Sequence, residues 1–170
     1  MTTIVYRGGT MAADSRAISR APLSLGKKVK IRRTSNGTLV GASSAAPGVC
    51  QLVMDWYCSH VESDEPREAK QLLNSVLNDS SLEFELLAVS PDGVGTYMTG
   101  HCLPATARAD YYAIGSGDKM ALGAFAMDAS ALQAVWAAIE HDAYSAGPVH
   151  FIKHDTALLY EQREKGGVFW

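Results

Sequence analysis

The sequence has no apolar run that approaches the roughly 18 residues needed to span a bilayer. Its first 20 residues carry three arginines and an aspartate, so they lack the apolar stretch of a secretory signal. We therefore expect a protein without a membrane span that stays in the cytoplasm.

Cysteine is also scarce, and histidine is dispersed. The three cysteines, Cys50, Cys58 and Cys102, form neither a CxxC pair nor a disulfide framework, which is typical of buried free thiols. His150 and His154 are four residues apart, but the sequence around them is strand-like, so a helical metal-binding pair is not expected. We expect no metal and no cofactor.

The charge balance argues against nucleic acid as a partner. The net charge is −3, and no basic stripe stands out. The densest basic stretch, residues 27–33, alternates basic and apolar side chains. This pattern is typical of a strand with one buried face and one charged, solvated face.

The order of predicted elements favours an α+β fold in a single domain, residues 1–170. Strands are predicted at 2–6, 10–14, 27–33, 38–43, 83–90, 94–100, 148–154 and 156–161. Helices are predicted at 47–61, 66–77 and 129–143, with a further short helix after residue 117. Groups of strands separated by pairs of helices indicate two stacked antiparallel sheets with helices outside, and not a βαβ repeat.

The first residues suggest a specific chemistry. If Met1 is removed, Thr2 carries both a hydroxyl nucleophile and a free α-amine. That amine has an unperturbed pKa of about 7.7–8.0 and can act as a base near neutral pH. An N-terminal amine of this kind is one known way of activating a threonine hydroxyl.

Five segments, in order along the chain, resemble the motifs of β-type proteasome subunits and of HslV-type peptidases, which are N-terminal-nucleophile hydrolases. They are residues 2–6, 11–16, 26–41, 113–117 and 142–147, which include the turns Gly115-Ser116-Gly117 and Asp142-Ala143-Tyr144-Ser145-Ala146-Gly147. The resemblance implies a four-layer αββα sandwich. The compact chain is closer in size to the bacterial peptidases, whereas residues 142–147 look more like the proteasomal version. This mixture suggests a bacterial or phage homologue.

The resemblance also assigns roles to single residues. Thr2 matches the nucleophile, Asp14 matches the acidic residue that orients the active-site lysine, and Lys28 matches that lysine. Ser116 matches a serine that contacts the N-terminal amine and relays its proton. Asp142 and Ser145 match the pair that supports the amine from further away.

Substrate-binding positions follow from the same resemblance. The backbone near Gly41 and Ala42 matches the segment that stabilises the oxyanion. Ala17, Gly26 and Val40 match the first specificity pocket, and their small or apolar side chains suggest a preference for apolar residues before the cleaved bond.

The implied function is threonine-type endopeptidase activity inside a homo-oligomeric double ring of 12 or 14 subunits. Its substrates would be peptides or unfolded proteins. The chain contains no nucleotide-binding motif, so an ATP-dependent unfoldase would be a separate chain. Two alternatives stay open, which are a ring-forming scaffold subunit without activity and an amidase that acts on a small molecule. The C-terminal residues 164–170 are either a docking element or a terminus folded onto its own subunit.

Overall fold

Two five-stranded antiparallel sheets lie face to face. The computed structural model describes residues 2–18, 24–46, 48–60, 83–100 and 104–165. These ranges contain twelve strands and three helices. The strands are β1 (Thr3–Arg7), β2 (Thr10–Ala13), β3 (Arg16–Ile18), β4 (Ser24–Lys27), β5 (Ile31–Arg33), β6 (Leu39–Ser44), β7 (Phe84–Val89), β8 (Val94–Thr99), β9 (Ala105–Arg108), β10 (Tyr111–Gly115), β11 (Val149–Lys153) and β12 (Thr156–Gln162). The helices are α1 (Val49–His60), α2 (Asp118–Ala126) and α3 (Ala131–His141).

The strand order places the start of the chain inside a sheet. The first sheet has the order β10-β1-β2-β11-β12, and the second has the order β5-β6-β7-β8-β9. Strands β3 and β4 form a separate hairpin. Because β1 lies between β2 and β10, with Thr3 opposite Gly115, the residues that precede β1 lie beside the end of β10.

Alternate residues of β1 face different layers, as strand geometry requires. Ile4 and Tyr6 pack between the sheets against residues such as Leu87. Val5 points the other way, into a cluster with α2 and α3. Helix α1 covers the outer face of the second sheet through residues such as Val53. The predicted α+β class and four-layer αββα arrangement are therefore confirmed.

Helix α3 begins at a capping box, a reciprocal pair of hydrogen bonds at a helix start. The Ser130 Oγ accepts the Gln133 N–H at 3.3 Å, and the Gln133 side chain accepts the Ser130 N–H at 2.8 Å. The helix buries Ala134 and Ala138 against the first sheet. It ends at Asp142, one of the predicted site residues.

Most of the predicted elements are confirmed within a few residues. The first hairpin is formed by β1 and β2 around Gly8 and Gly9, and the two strands after residue 83 are β7 and β8. The helices predicted at 47–61, after 117 and at 129–143 are α1, α2 and α3. The helix predicted at 66–77 and most of the tail at 164–170 lie outside the described residues.

One predicted strand is wrong. Residues 27–33 form no continuous strand, because β4 ends at Lys27 and pairs with β3, whereas β5 starts at Ile31 and pairs with β6. The alternation of basic and apolar residues spans the point where the chain passes from the small hairpin to the second sheet. Strands β3, β4, β9 and β10 were not predicted. In the described ranges, no helix is long and apolar enough to cross a membrane.

Gly41 allows the two sheets to approach each other. A Cβ atom at this position would lie 2.9 Å from Ile4 Cγ2 and 3.1 Å from Ile31 Cγ2. The first contact is closer than real Cβ atoms show and the second is unusually tight, so the Ile4 side chain would have to move within a packed core. We expect Gly41→Ala to lower the free energy of unfolding by about 1–3 kcal/mol, the usual cost of overpacking a core.

Gly123 in α2 provides the matched control, because a Cβ there meets no atom within 4 Å. Gly123→Ala should raise the free energy of unfolding by about 0.5–1 kcal/mol, since alanine is the better helix former. Urea denaturation measures both changes. Equal effects of the two substitutions would show that the close approach at Gly41 is unimportant.

Candidate active site

The site is built where the chain starts and where β10 and α3 end. Thr2 and Thr3 have no exposed surface. Gly115 is the last residue of β10, and a Cβ there would lie 2.0 Å from the carbonyl oxygen of Thr2. A Cβ on Gly117 would lie 2.0 Å from Thr3 Oγ1. The Gly-Ser-Gly turn therefore needs both glycines in order to hold Ser116 against the first residues of the chain.

A chain of hydrogen bonds leads from Thr2 to the end of α3. The Thr2 backbone N–H donates to Ser116 Oγ at 3.2 Å, and Ser116 Oγ donates to Asp142 Oδ2 at 2.7 Å. Ser145 Oγ donates to the same carboxylate oxygen at 2.7 Å. Because that proton is committed, Thr3 Oγ1 is the donor in its 2.8 Å bond to Ser145 Oγ.

This chain brings together four predicted site residues, Thr2, Ser116, Asp142 and Ser145. Asp142 also accepts the Tyr144 backbone N–H at 3.1 Å, so its carboxylate is fixed by the turn that follows α3. Asp142 is 7% exposed and Ser145 is 3% exposed. Thr3 was not predicted as a site residue, although its position directly after the candidate nucleophile was a signal for it.

Asp14 is fully buried and accepts four hydrogen bonds. Its Oδ1 accepts from the Thr3 N–H at 2.9 Å and from Lys30 Nζ at 2.6 Å. Its Oδ2 accepts from the backbone N–H groups of Arg16 at 3.0 Å and Ala146 at 3.2 Å. A buried carboxylate must be paired in this way to remain charged, and Asp14 thereby connects the start of the chain with the segment after α3.

The predicted lysine is wrong, because the partner of Asp14 is Lys30 and not Lys28. The side chains of Lys30 and Asp14 have no exposed surface. Lys28 Nζ instead lies 3.8 Å from Cys50 Sγ in the first turn of α1. In a continuous strand both lysines would point to the same face, so the alternation could not choose between them.

The pKa of Lys30 is lowered from its usual value, mainly because burial disfavours the charged ammonium. The Asp14 carboxylate opposes this shift, and the positive charge of Lys28 adds to it. Lys28 and Lys30 are therefore close enough to interact, but only Lys30 forms the buried ion pair with Asp14.

The predicted oxyanion segment is also corrected. Gly41 faces Ile4 and Ile31 between the sheets, and the Ala42 N–H donates to the Lys30 carbonyl at 3.3 Å. These positions are part of the second sheet. Strand β6 ends at Ser44, and the exposed Ala45 follows it.

Two of the three predicted pocket residues are neighbours in the structure. Ala17 and Gly26 face each other across the β3–β4 hairpin. Val40 has no exposed surface and packs against α1 in the outer core of the second sheet, so its assignment to a substrate pocket is wrong. Ser43 was not predicted as a site residue. It lies beside the Gly-Ser-Gly turn, where its Oγ would be 3.3 Å from a Cβ on Gly115.

Among the described residues, no group of three or more histidine, cysteine or acidic side chains has the geometry of a metal site. The described cysteines, Cys50 and Cys58, are free thiols. The groups that the described structure brings to the start of the chain are hydroxyls, a carboxylate and a buried ion pair, which can bind and transfer protons.

No protein-family model and no curated protein matches this sequence. Solved structures do match its fold. Anbu (ancestral beta-subunit) from Yersinia bercovieri superposes with a TM-score of 0.70 and 12% identity, covering 96% of this chain and 87% of the Anbu chain. Eukaryotic HslV from Trypanosoma brucei gives a TM-score of 0.61 and 20% identity, covering 90% of this chain and 99% of the HslV chain. This similarity shows that the chain shares the sandwich fold of Anbu and HslV.

The contrast between the two lysines gives a stability prediction. Lys30→Met leaves Asp14 as a buried charge without its cation, so it should lower the free energy of unfolding by about 3–5 kcal/mol. Lys28→Met removes no buried ion pair and should cost less than about 1 kcal/mol. Chemical denaturation of both variants measures the difference.

A double variant tests whether the pair acts as a unit. Asp14→Asn combined with Lys30→Met should cost clearly less than the sum of the two single substitutions, since each single one orphans a partner. Additive losses, or a larger loss for Lys28→Met than for Lys30→Met, would contradict this assignment.

Proposed function

We propose that this chain is a threonine-type endopeptidase that hydrolyses peptide bonds through an N-terminal Thr2 acyl-enzyme after removal of Met1. The observation that carries the proposal is the convergence of two buried networks on residues 2 and 3. One is the Thr2–Ser116–Asp142–Ser145 hydrogen-bond chain, and the other is the Asp14–Lys30 ion pair.

The nucleophile is the Thr2 hydroxyl, and its base is the Thr2 amine. Removal of Met1 is essential, because the nitrogen of a peptide bond cannot accept a proton. Ser116 Oγ, which contacts this nitrogen at 3.2 Å, orients the amine and passes its proton. Asp142 and Ser145 hold Ser116 in place, because both hydroxyls donate to the same carboxylate oxygen.

Lys30 supplies the positive charge in the role that the sequence suggested for Lys28. Asp14 Oδ1 binds both the Lys30 ammonium and the Thr3 N–H, so the ammonium lies beside the Thr2–Thr3 segment. A cation at this position favours the ionised form of the Thr2 oxygen during attack. Burial increases this effect, because little water is present to screen the charge.

The reaction has two halves. In the first, the Thr2 oxygen bonds to the substrate carbonyl carbon, its proton passes to the Thr2 amine, and the leaving amine takes that proton as the peptide bond breaks. In the second, water attacks the ester with the same amine as base and releases the acid. Backbone N–H groups where β6 ends, beyond Ser44, are the candidates to stabilise the oxyanion.

The setting that we propose is cytoplasmic, with the sites enclosed in a homo-oligomeric double ring of 12 or 14 subunits. Unfolded proteins or peptides would be the substrates, and a separate ATP-dependent unfoldase would deliver folded ones. A native mass equal to 12 or 14 chains, measured on the purified protein, would support this assembly. A small oligomer would favour an amidase that acts on a small molecule instead.

Hydrolysis of fluorogenic peptides tests the proposed function. Thr2→Ala should abolish hydrolysis, because it removes the attacking oxygen. Ser116→Ala should lower kcat by about 10²–10⁴-fold, the usual contribution of a group that transfers a proton at the reacting centre.

Ser130→Ala is the matched control for the serine substitution. It removes the capping side chain of α3 and so costs about 1 kcal/mol of stability, but Ser130 contacts none of the site residues named above. Its kcat should equal that of the parent. Peptide hydrolysis that survives Thr2→Ala would show that another group carries the activity and would refute the proposal.

A further inference from the structure

Glu85 is a half-buried residue near the start of β7, and its side chain reaches the candidate active site. It belongs to β7 in the second sheet, opposite Ser43 on β6. Its side chain crosses to the first sheet, where Oε2 accepts the Gly115 backbone N–H at 2.9 Å. Its other oxygen, Oε1, accepts from the Tyr97 hydroxyl at 3.0 Å.

This carboxylate is held by neutral groups. Within the described ranges no lysine, arginine or histidine forms an ion pair with Glu85. Burial raises the pKa of Tyr97 to about 12, and the adjacent Glu85 charge adds to that shift. The Tyr97 hydroxyl therefore keeps its proton and remains a donor to Glu85 across the neutral range.

The residue that Glu85 binds has little freedom to move. Gly115 lies against the carbonyl oxygen of Thr2 so closely that even a Cβ would overlap with it. The next residue, Ser116, accepts the Thr2 N–H. A small displacement of Gly115 therefore changes the separation between Ser116 Oγ and the nitrogen of Thr2.

We infer that Glu85 is a positioning residue, which fixes the Gly115–Ser116 turn against Thr2 and so aligns Ser116 Oγ with the Thr2 amine. The inference rests on the proposed function, since alignment matters only if Thr2 is the nucleophile. The hydrogen bonds described for Glu85 join it to Gly115 and Tyr97. It acts through the backbone of Gly115, and Tyr97 orients it.

Two substitutions of Glu85 separate the effect of its side-chain length from the effect of its charge. Glu85→Gln keeps the length of the side chain, so its amide oxygen can accept the Gly115 N–H and its NH₂ can donate to Tyr97, whose hydroxyl also accepts. Glu85→Asp keeps the charge, but its side chain is one methylene shorter and cannot reach Gly115. If Glu85 positions the turn, its side-chain length must be kept, whereas an electrostatic role would require its negative charge.

Steady-state hydrolysis of a fluorogenic peptide measures the effect. We expect Glu85→Asp to lower kcat by about 10–100-fold with KM within about twofold, because a shift of about 1 Å at a reacting group can cost 10²-fold. Glu85→Gln should keep kcat within about twofold of the parent. Glu83→Asp, an exposed position just before β7, is the matched control and should leave kcat unchanged.

The outcomes separate this inference from the proposed function. An active parent whose kcat is unchanged in Glu85→Asp, or reduced as much in Glu85→Gln as in Glu85→Asp, overturns the inference alone. A parent without Thr2-dependent hydrolysis overturns the proposed function and the inference together. If Glu85→Asp fails to fold, Glu85→Gln still tests the inference. A loss of more than tenfold in the kcat of Glu85→Gln would contradict a role that depends on side-chain length.

Discussion

The buried contact between Asp14 and Lys30 is the interaction on which the rest of the site depends. Neither side chain has exposed surface, and removing two charges from water costs several kcal/mol per ion. The structure offsets that cost with four hydrogen bonds to one carboxylate, three of them from backbone N–H groups. Asp14 thereby connects the first strand, the segment before β5 and the turn after α3.

This arrangement ties down the start of the chain. Chain termini are usually poorly ordered unless they are tied down. Here β1 lies between two strands, its first residue donates to Asp14, and the Gly-Ser-Gly turn lies against Thr2. Strand pairing therefore fixes Thr3, and the contacts with the Gly-Ser-Gly turn hold the adjacent backbone of Thr2.

The sequence predicted the parts of the site that depend on local motifs. Ser116 lies between two glycines, and Asp142 and Ser145 lie three residues apart after a helix. Each motif alone is common, and the order of five such motifs singled these residues out. The α+β class was predictable from the order of strands and helices, and the resemblance to proteasome-type subunits implied the four-layer sandwich. The order of these elements then indicated two stacked sheets.

The errors arose where only tertiary structure decides. Lys28 and Lys30 could not be separated, because the strand is interrupted between Lys27 and Ile31. The faces on which Val40 and Gly41 lie could not be predicted. Strand β6 packs against a helix on one face and a sheet on the other, and alternation in the sequence does not identify the face that packs against the helix. Glu85 had no signal, since an acidic residue in an ordinary strand normally faces solvent.

The intact mass of the purified chain, before and after incubation with a peptide epoxyketone, tests the central claim most directly. This warhead reacts with both the hydroxyl and the free amine of an N-terminal threonine. We expect loss of Met1 and one adduct per chain, with no adduct on a Thr2→Ala variant. A chain that keeps Met1 and gains no adduct would contradict it and would favour an inactive scaffold.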